Sequence, residues 1–170
     1  MSRELELAKQ LQQMQLLAES VPAMIALYDA GTHRCLFANR AYSQTFGLDQ
    51  SEILGRTFAE VIGPEAAAEI QPQVNLVLQL LRPVTYERFL PTDQGKPRWI
   101  EVNLIPQLDA AGVPLASCVL ITDITKHRLA EIAAHESEER LAKFMQASVE
   151  GILFHQAGVV TDANPPLCAL

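Results

Sequence analysis

Arg98-Trp99-Ile100-Glu101-Val102-Asn103-Leu104-Ile105-Pro106-Gln107, then the run Ala116 to Thr122 and the junction Asp123-Ile124-Thr125, decide the architecture of this chain. Ile100, Val102 and Leu104 alternate with Trp99, Glu101 and Asn103, the period of a strand with one apolar and one mixed face. Ala116 to Thr122 is rich in apolar and β-branched residues and reads as a central strand. The turn between the two is Asp109-Ala110-Ala111-Gly112. Upstream, Val84 to Leu90 is another strand, joined to Arg98 through the turn Thr92-Asp93-Gln94-Gly95-Lys96-Pro97.

Working outward, two strands and several helices precede this block. Met24 to Tyr28 and Cys35 to Ala38 are short strands separated by Asp29-Ala30-Gly31-Thr32, which makes them a hairpin. Asn39 is placed to cap a short helix through Phe46, which Gly47 stops. Asp49-Gln50-Ser51-Glu52 has capping-box spacing for a second helix ending at Gly55, and Thr57 to Ile62 forms a third. Glu65 to Leu81 is the longest internal helix, with Val74, Val77, Leu78 and Leu81 on its apolar face. Pro72 predicts a kink or a start within it.

Helices flank the whole. Arg3 to Glu19 is a run of good helix formers. Leu7, Leu11, Met14, Ala18 and Val21 follow an a/d seam about two heptads long, suited equally to the chain's own sheet and to a partner helix. Asp123-Ile124-Thr125 opens a highly charged helix that runs to about Ala147. Strand, strand, helices, three strands, helix is an α+β order around an antiparallel sheet.

Composition narrows the function classes. With 49% hydrophobic and 19% charged residues, 170 residues suffice for one core with extensions. A net charge of −7 argues against nucleic-acid and membrane-surface binding. Cys35, Cys118 and Cys168 are far apart and form no C-x-x-C, which fits a reducing, cytoplasmic setting. Met1 leads into a charged, Gln-rich stretch unlike a signal peptide. The longest apolar run, Val113 to Ile121, is too short to cross a bilayer, so no membrane insertion by this chain is expected. A tether elsewhere in a parent protein is left open.

Four local sequences then carry a family resemblance. They are Ala38-Asn39-Arg40-Ala41-Tyr42; Phe46-Gly47-Leu48 with Glu52-Ile53-Leu54-Gly55-Arg56; Arg98-Trp99-Ile100-Glu101-Val102 ending at Ile105-Pro106; and Thr122-Asp123-Ile124-Thr125. In this order and spacing, Ser20 to Thr125 resembles a PAS domain. The resemblance implies a five-stranded antiparallel sheet with helices on one side, flanked by the N-terminal and C-terminal helices. Lys126 stands where the family often has an acidic residue.

An internal repeat extends the resemblance. Glu19-Ser20-Val21-Pro22-Ala23-Met24-Ile25 resembles Ala147-Ser148-Val149-Glu150-Gly151-Ile152-Leu153, and Phe37-Ala38-Asn39 resembles Asp162-Ala163-Asn164. The expected organisation is an N-terminal helix over 1–19, a PAS domain over 20–125 and a linker helix over 126–147. The opening of a second PAS domain, cut short, is expected over 148–170.

No catalytic constellation emerges. His33-Arg34-Cys35 sets a nucleophile beside a base without a third partner. Ala134-His135-Glu136 lacks the continuation of a phosphoacceptor box. His and Cys are too scattered for a metal site, and no phosphate-cradling glycine loop exists. The resemblance also argues against two cofactors. Val61-Ile62-Gly63-Pro64-Glu65 lacks the cysteine of flavin photosensors, and Glu65 to Leu81 lacks a haem-ligating histidine. Non-covalent flavin stays open as a minor alternative, with Trp99 stacking and Asn103 hydrogen-bonding.

The resemblance therefore implies a sensory module of a signalling protein, of the sensor histidine kinase or cyclic-dinucleotide type, that binds a small ligand or a partner and relays the change through the helix after Asp123-Ile124-Thr125. It is not itself an enzyme; a kinase or cyclase domain would lie outside this chain. Tyr42, Phe46, Phe58, Val74, Leu78 and Val102 are the expected ligand-pocket residues, and Asp123 and Thr125 the expected relay. The ligand is unknown. Leu7, Leu11 and Met14 are the expected homodimer seam. The alternative is a ligand-free dimerisation and spacing module.

Overall fold

The helix formers at the start fold as α1 (Ser2–Ser20), and the two apolar runs after Pro22 as β1 (Met24–Asp29) and β2 (Cys35–Ala38). The computed structural model describes residues 2–90 and 98–168, except the side chains of residues 2–5, 7, 8 and 11. The Asp29 carboxylate closes the hairpin turn by accepting from the N–H groups of Gly31 and Thr32 and the Thr32 hydroxyl. Four helices follow: α2 (Arg40–Thr45), α3 (Gln50–Ile53), α4 (Phe58–Ile62) and α5 (Pro64–Leu80). Thr57 caps α4 by a reciprocal exchange with Glu60, and Glu52 closes back on the Asp49 N–H at the start of α3.

Three long strands complete the sheet: β3 (Val84–Leu90), β4 (Arg98–Leu108) and β5 (Pro114–Asp123). The order is β2-β1-β5-β4-β3, with every pair antiparallel. This is the expected α+β sheet, with β5 at its centre. Residues directly opposite in an antiparallel pair share a face. The register therefore puts Met24, Ala26 and Tyr28, Ile121, Val119 and Ser117, and Val102 and Leu104 on one face. That face packs on Tyr42, Ile53, Phe58, Val61, Ala67 and Val77 from the helices to form the core. The edge of β2 is not bare. Cys35 exchanges backbone bonds with Gly55 and Arg56, and Arg34 bridges Thr57.

Two details differ from expectation. First, α5 starts at Pro64 and runs through Pro72 without a break. Pro64 sits at the first turn, where its missing N–H costs nothing, and Pro72 removes one bond from a helix anchored by buried Ala67 and Val77. Second, Leu81 is not on the apolar face. It ends α5 in the left-handed conformation, φ 50°, and is exposed. The expected turn over Thr92–Pro97 lies outside the described residues.

The chain divides into two compact units, Met1–Ile124 and Thr125–Leu170. The second holds α6 (Thr125–Ala147), the antiparallel hairpin β6 (Leu153–Gln156) and β7 (Val159–Ala163), and α7 (Pro165–Cys168). None of the side chains of α6 is buried.

Candidate functional site

All six expected pocket residues come together between the sheet and the helices. Tyr42, Phe58 and Val102 lie in the core, and Phe46, Val74 and Leu78 pack against it. The arrangement follows from local structure. Asn39 starts α2 so that Tyr42 and Ser43 face inward, and Thr57 starts α4 so that Phe58 and Val61 do. Aromatic edges meet there: Tyr42 lies 4.9 Å from Phe46, and Tyr28 6.3 Å from Phe58. The His33 ring stands edge-on to Phe58 at 5.8 Å. Cys35 is buried, and His33 is half-buried against Phe58.

One level of this core carries hydroxyl and thiol groups. The Tyr28 and Tyr42 hydroxyls lie 3.1 Å apart in a buried contact. Burial raises both phenols above their ordinary pKa, Tyr42 by the larger desolvation. On the neighbouring strands, Cys35 and Ser117 sit directly opposite Tyr28. Burial raises the Cys35 thiol, whose Sγ donates to the Phe37 carbonyl at 3.3 Å. Ser117 is only 7% exposed and its hydroxyl has no hydrogen-bond partner. Tyr28, Cys35 and Ser117 were missed from sequence, because only the cross-strand register aligns them.

Trp99 and Asn103 lie elsewhere. Their register places them on the opposite face from Val102, so the flavin contacts envisaged for them do not form part of this core. Trp99 pairs with Phe89 at 5.3 Å, and Asn103 bonds Thr85 and Glu101. Among the described residues no cluster of His, Cys, Asp or Glu is placed to hold a metal ion.

The exit from the sheet is abrupt. Asp123 is the last residue of β5, lies opposite Ile100, and comes within 3.9 Å of Arg98. The Ile124 N–H donates to the Trp99 carbonyl, and Thr125 is the first residue of α6. At the other end, Met14 is 69% exposed, and the described side chains from Gln12 to Leu17 are all exposed. That stretch of α1 therefore does not cover the chain's own sheet. Leu7 and Leu11 lie outside the described side chains.

Asn39 joins the entering helix to the fold. Its Oδ1 accepts from the N–H groups of Ile25 and Tyr42, and its Nδ2 donates to the carbonyls of Ala18 and Ala23. Glu19 adds a second tie, accepting from the Arg40 N–H and from Gln50 Nε2. Asn164 repeats the arrangement bond for bond. Its Oδ1 accepts from Ile152 and Leu167, and its Nδ2 donates to the carbonyls of Met145 and Glu150. The match pairs Ile25 with Ile152, one residue away from the pairing with Leu153 that side-chain similarity suggests. The hairpin is two residues shorter, since Asn39 follows Ile25 by 14 positions and Asn164 follows Ile152 by 12.

Comparison with known proteins decides the family. A profile describing the PAS fold matches residues 18–129. The chain belongs to the PAS family. The PAS domain of BvgS from Bordetella pertussis is 28% identical, with a TM-score of 0.59, covering 78% of this chain and 98% of that one. VqmA bound to DPO is 24% identical with a TM-score of 0.60, covering 72% of this chain and 61% of that one. A sensory box sensor histidine kinase from Vibrio cholerae is 15% identical, with a TM-score of 0.53, covering 74% of this chain and 98% of that one. The last two likenesses show the PAS fold alone. The chain spans about three fifths of the VqmA chains it matches. No curated protein matches it. Among the described residues of this PAS protein, no helix is long and apolar enough to cross a membrane.

Proposed function

We propose that this PAS domain is a ligand-gated sensory module of a cytoplasmic signalling protein. The observation that carries this reading is the course of β5. It is the central strand, it borders the aromatic core, and it ends one residue before a 23-residue helix with no buried side chain. A small molecule between sheet and helices would shift β5, and Asp123 and Thr125 would pass the shift to α6. In energetic terms this is a population shift between two sheet–helix arrangements, driven by the ligand's differential affinity. The module performs no reaction of its own; a kinase or cyclic-dinucleotide enzyme domain of the parent would be the output. VqmA supports the ligand half of this reading by likeness, being described bound to DPO and in a VqmA–ligand–DNA complex. A DNA-contacting output domain therefore stands beside the enzymatic ones. The charge of −7 is our reason for placing no nucleic acid on this chain itself.

Residues 148–170 are read as the opening of a second PAS domain, supported by the matching bonds of Asn39 and Asn164. Homodimerisation through α1 is supported by its exposed apolar side chains, Met14, Leu16 and Leu17. The competing reading is a ligand-free spacer with a filled core. Mass spectrometry and absorbance of the native protein, denatured to release its contents, separate the two. A stoichiometric small molecule supports sensing. Its absence, with no response of the parent to any small molecule, leaves the spacer.

A further inference from the structure

The core holds more hydroxyl donors than its own acceptors satisfy. A tyrosine hydroxyl has one proton and two acceptor lone pairs. Tyr28 and Tyr42 share one hydrogen bond, so one of their two protons is left over, and both side chains are buried. Ser117 is opposite Tyr28 on the same face, nine-tenths buried, and makes no bond. Cys35 completes the row on the far side of Tyr28. Native interiors rarely leave such a group unpaired, and the Ser117 hydroxyl, on the residue facing Tyr28, points to a partner that the spare phenol proton can share. Among the described residues no Asp, Glu, Lys or Arg is buried, so nothing in this core could neutralise a charged guest. Arg88, on the same sheet face, is already paired with Glu69 at 3.1 Å. Phe58 and Phe46 supply flat apolar walls around the tyrosines.

We propose that Tyr28, Tyr42 and Ser117 form the polar end of a binding site for a small, uncharged, flat molecule carrying a hydrogen-bond acceptor, such as an amide carbonyl or a ring nitrogen. This rests on the ligand-gated reading above and adds to it the chemical class and the contacts. The guest accepts the spare phenol proton and the Ser117 proton, while its apolar body lies against the phenylalanines. A carboxylate or an ammonium of the same size is rejected, because its charge would be buried without a partner.

The test is an NMR titration of the full chain with four probes of one size: benzamide, benzoate, benzylamine and toluene. Benzamide is expected to bind, with amide shifts centred on Tyr28 and Ser117, and the two charged probes at least tenfold more weakly. Ser117→Ala and Tyr28→Phe are each expected to weaken benzamide at least fivefold and leave toluene unchanged. Should Tyr28→Phe fail to fold, Ser117→Ala decides alone, since it removes no hydrogen bond. Equal binding of benzamide and benzoate, or benzamide binding untouched by Ser117→Ala, overturns the assignment while leaving a ligand-gated module standing. No binding by any probe, together with no molecule released on denaturation, overturns both.

Discussion

Asn39 shows how much one side chain can hold in a small domain. It is an amide with two acceptor sites and two donors, and all four meet backbone groups from α1, the loop before β1, β1 and α2. Each net bond contributes about 0.5–1.5 kcal/mol, so Asn39→Ala is expected to cost roughly 2–5 kcal/mol in urea unfolding. A loss below about 1 kcal/mol would show that these bonds do not anchor the fold. Asn39→Asp tests the donors separately, because it turns an acceptor toward two carbonyls. The tyrosines make a second prediction. All three in the chain, Tyr28, Tyr42 and Tyr86, have phenols raised by burial. Their stabilising effect is complete below about pH 10, the unfolded value, and is lost as pH rises through the folded values. Ultraviolet titration should therefore find the native tyrosines ionising above the ordinary phenol range, with most of the change accompanying unfolding. Independent ionisation of two or more tyrosines near pH 10 would contradict the burial described for them.

At the scale of elements, capping is where sequence and structure meet most closely. The Glu52 tie to Asp49 was legible from its spacing, whereas the same spacing in Thr57 and Glu60, a hydroxyl three residues before a carboxylate, was not singled out. Thr57→Ala is expected to cost about 0.5–2 kcal/mol by thermal or urea unfolding. Hydrogen bonds from Thr57 hold the Glu60 carboxyl below its ordinary pKa, and those from Thr32 do the same for Asp29. Because the folded values are the lower ones, these contributions are full above about pH 4 and fade as pH falls through the folded values. Carboxyl NMR should find both groups titrating below the ordinary carboxylate range. The strands and their hairpin turns were legible for the same local reasons: alternation in β4 and turn residues at Asp29 and Asp109. The Ser117 row was not, since it depends on which residue of β5 faces Tyr28, a matter of register between strands far apart in sequence. Glu19 and Gln50 were hidden too, being 31 positions apart and joined only by packing. No helix starts at Pro72, because propensity speaks of the isolated helix, whereas α5 is held by what Ala67 and Val77 bury.

For the whole molecule, two helices stand out: the described side chains of α1 from Gln12 to Leu17 are exposed, and none of those of α6 is buried. If α1 pairs with a second copy, Met14→Glu should turn a dimer into a folded monomer in light scattering or sedimentation. A wild-type monomer at high concentration rejects the pairing, and a mutant that unfolds assigns α1 to the chain's own fold. The continuity of α6 has a further consequence, in the language of rotation. A regular helix turns about 100° per residue, so its two ends share a phase set by its length. α6 begins two residues after β5 ends, and its Met145 carbonyl is gripped by Asn164. Inserting one residue in its exposed middle, near Ala134, turns one end of the helix by about 100° against the other. Inserting seven returns the phase to within about 20°. If the parent reads rotation, the first insertion should lock its output and the second restore it. If it reads only proximity, output should instead decline steadily with length, and the count of residues, rather than the angle, would be what the helix transmits.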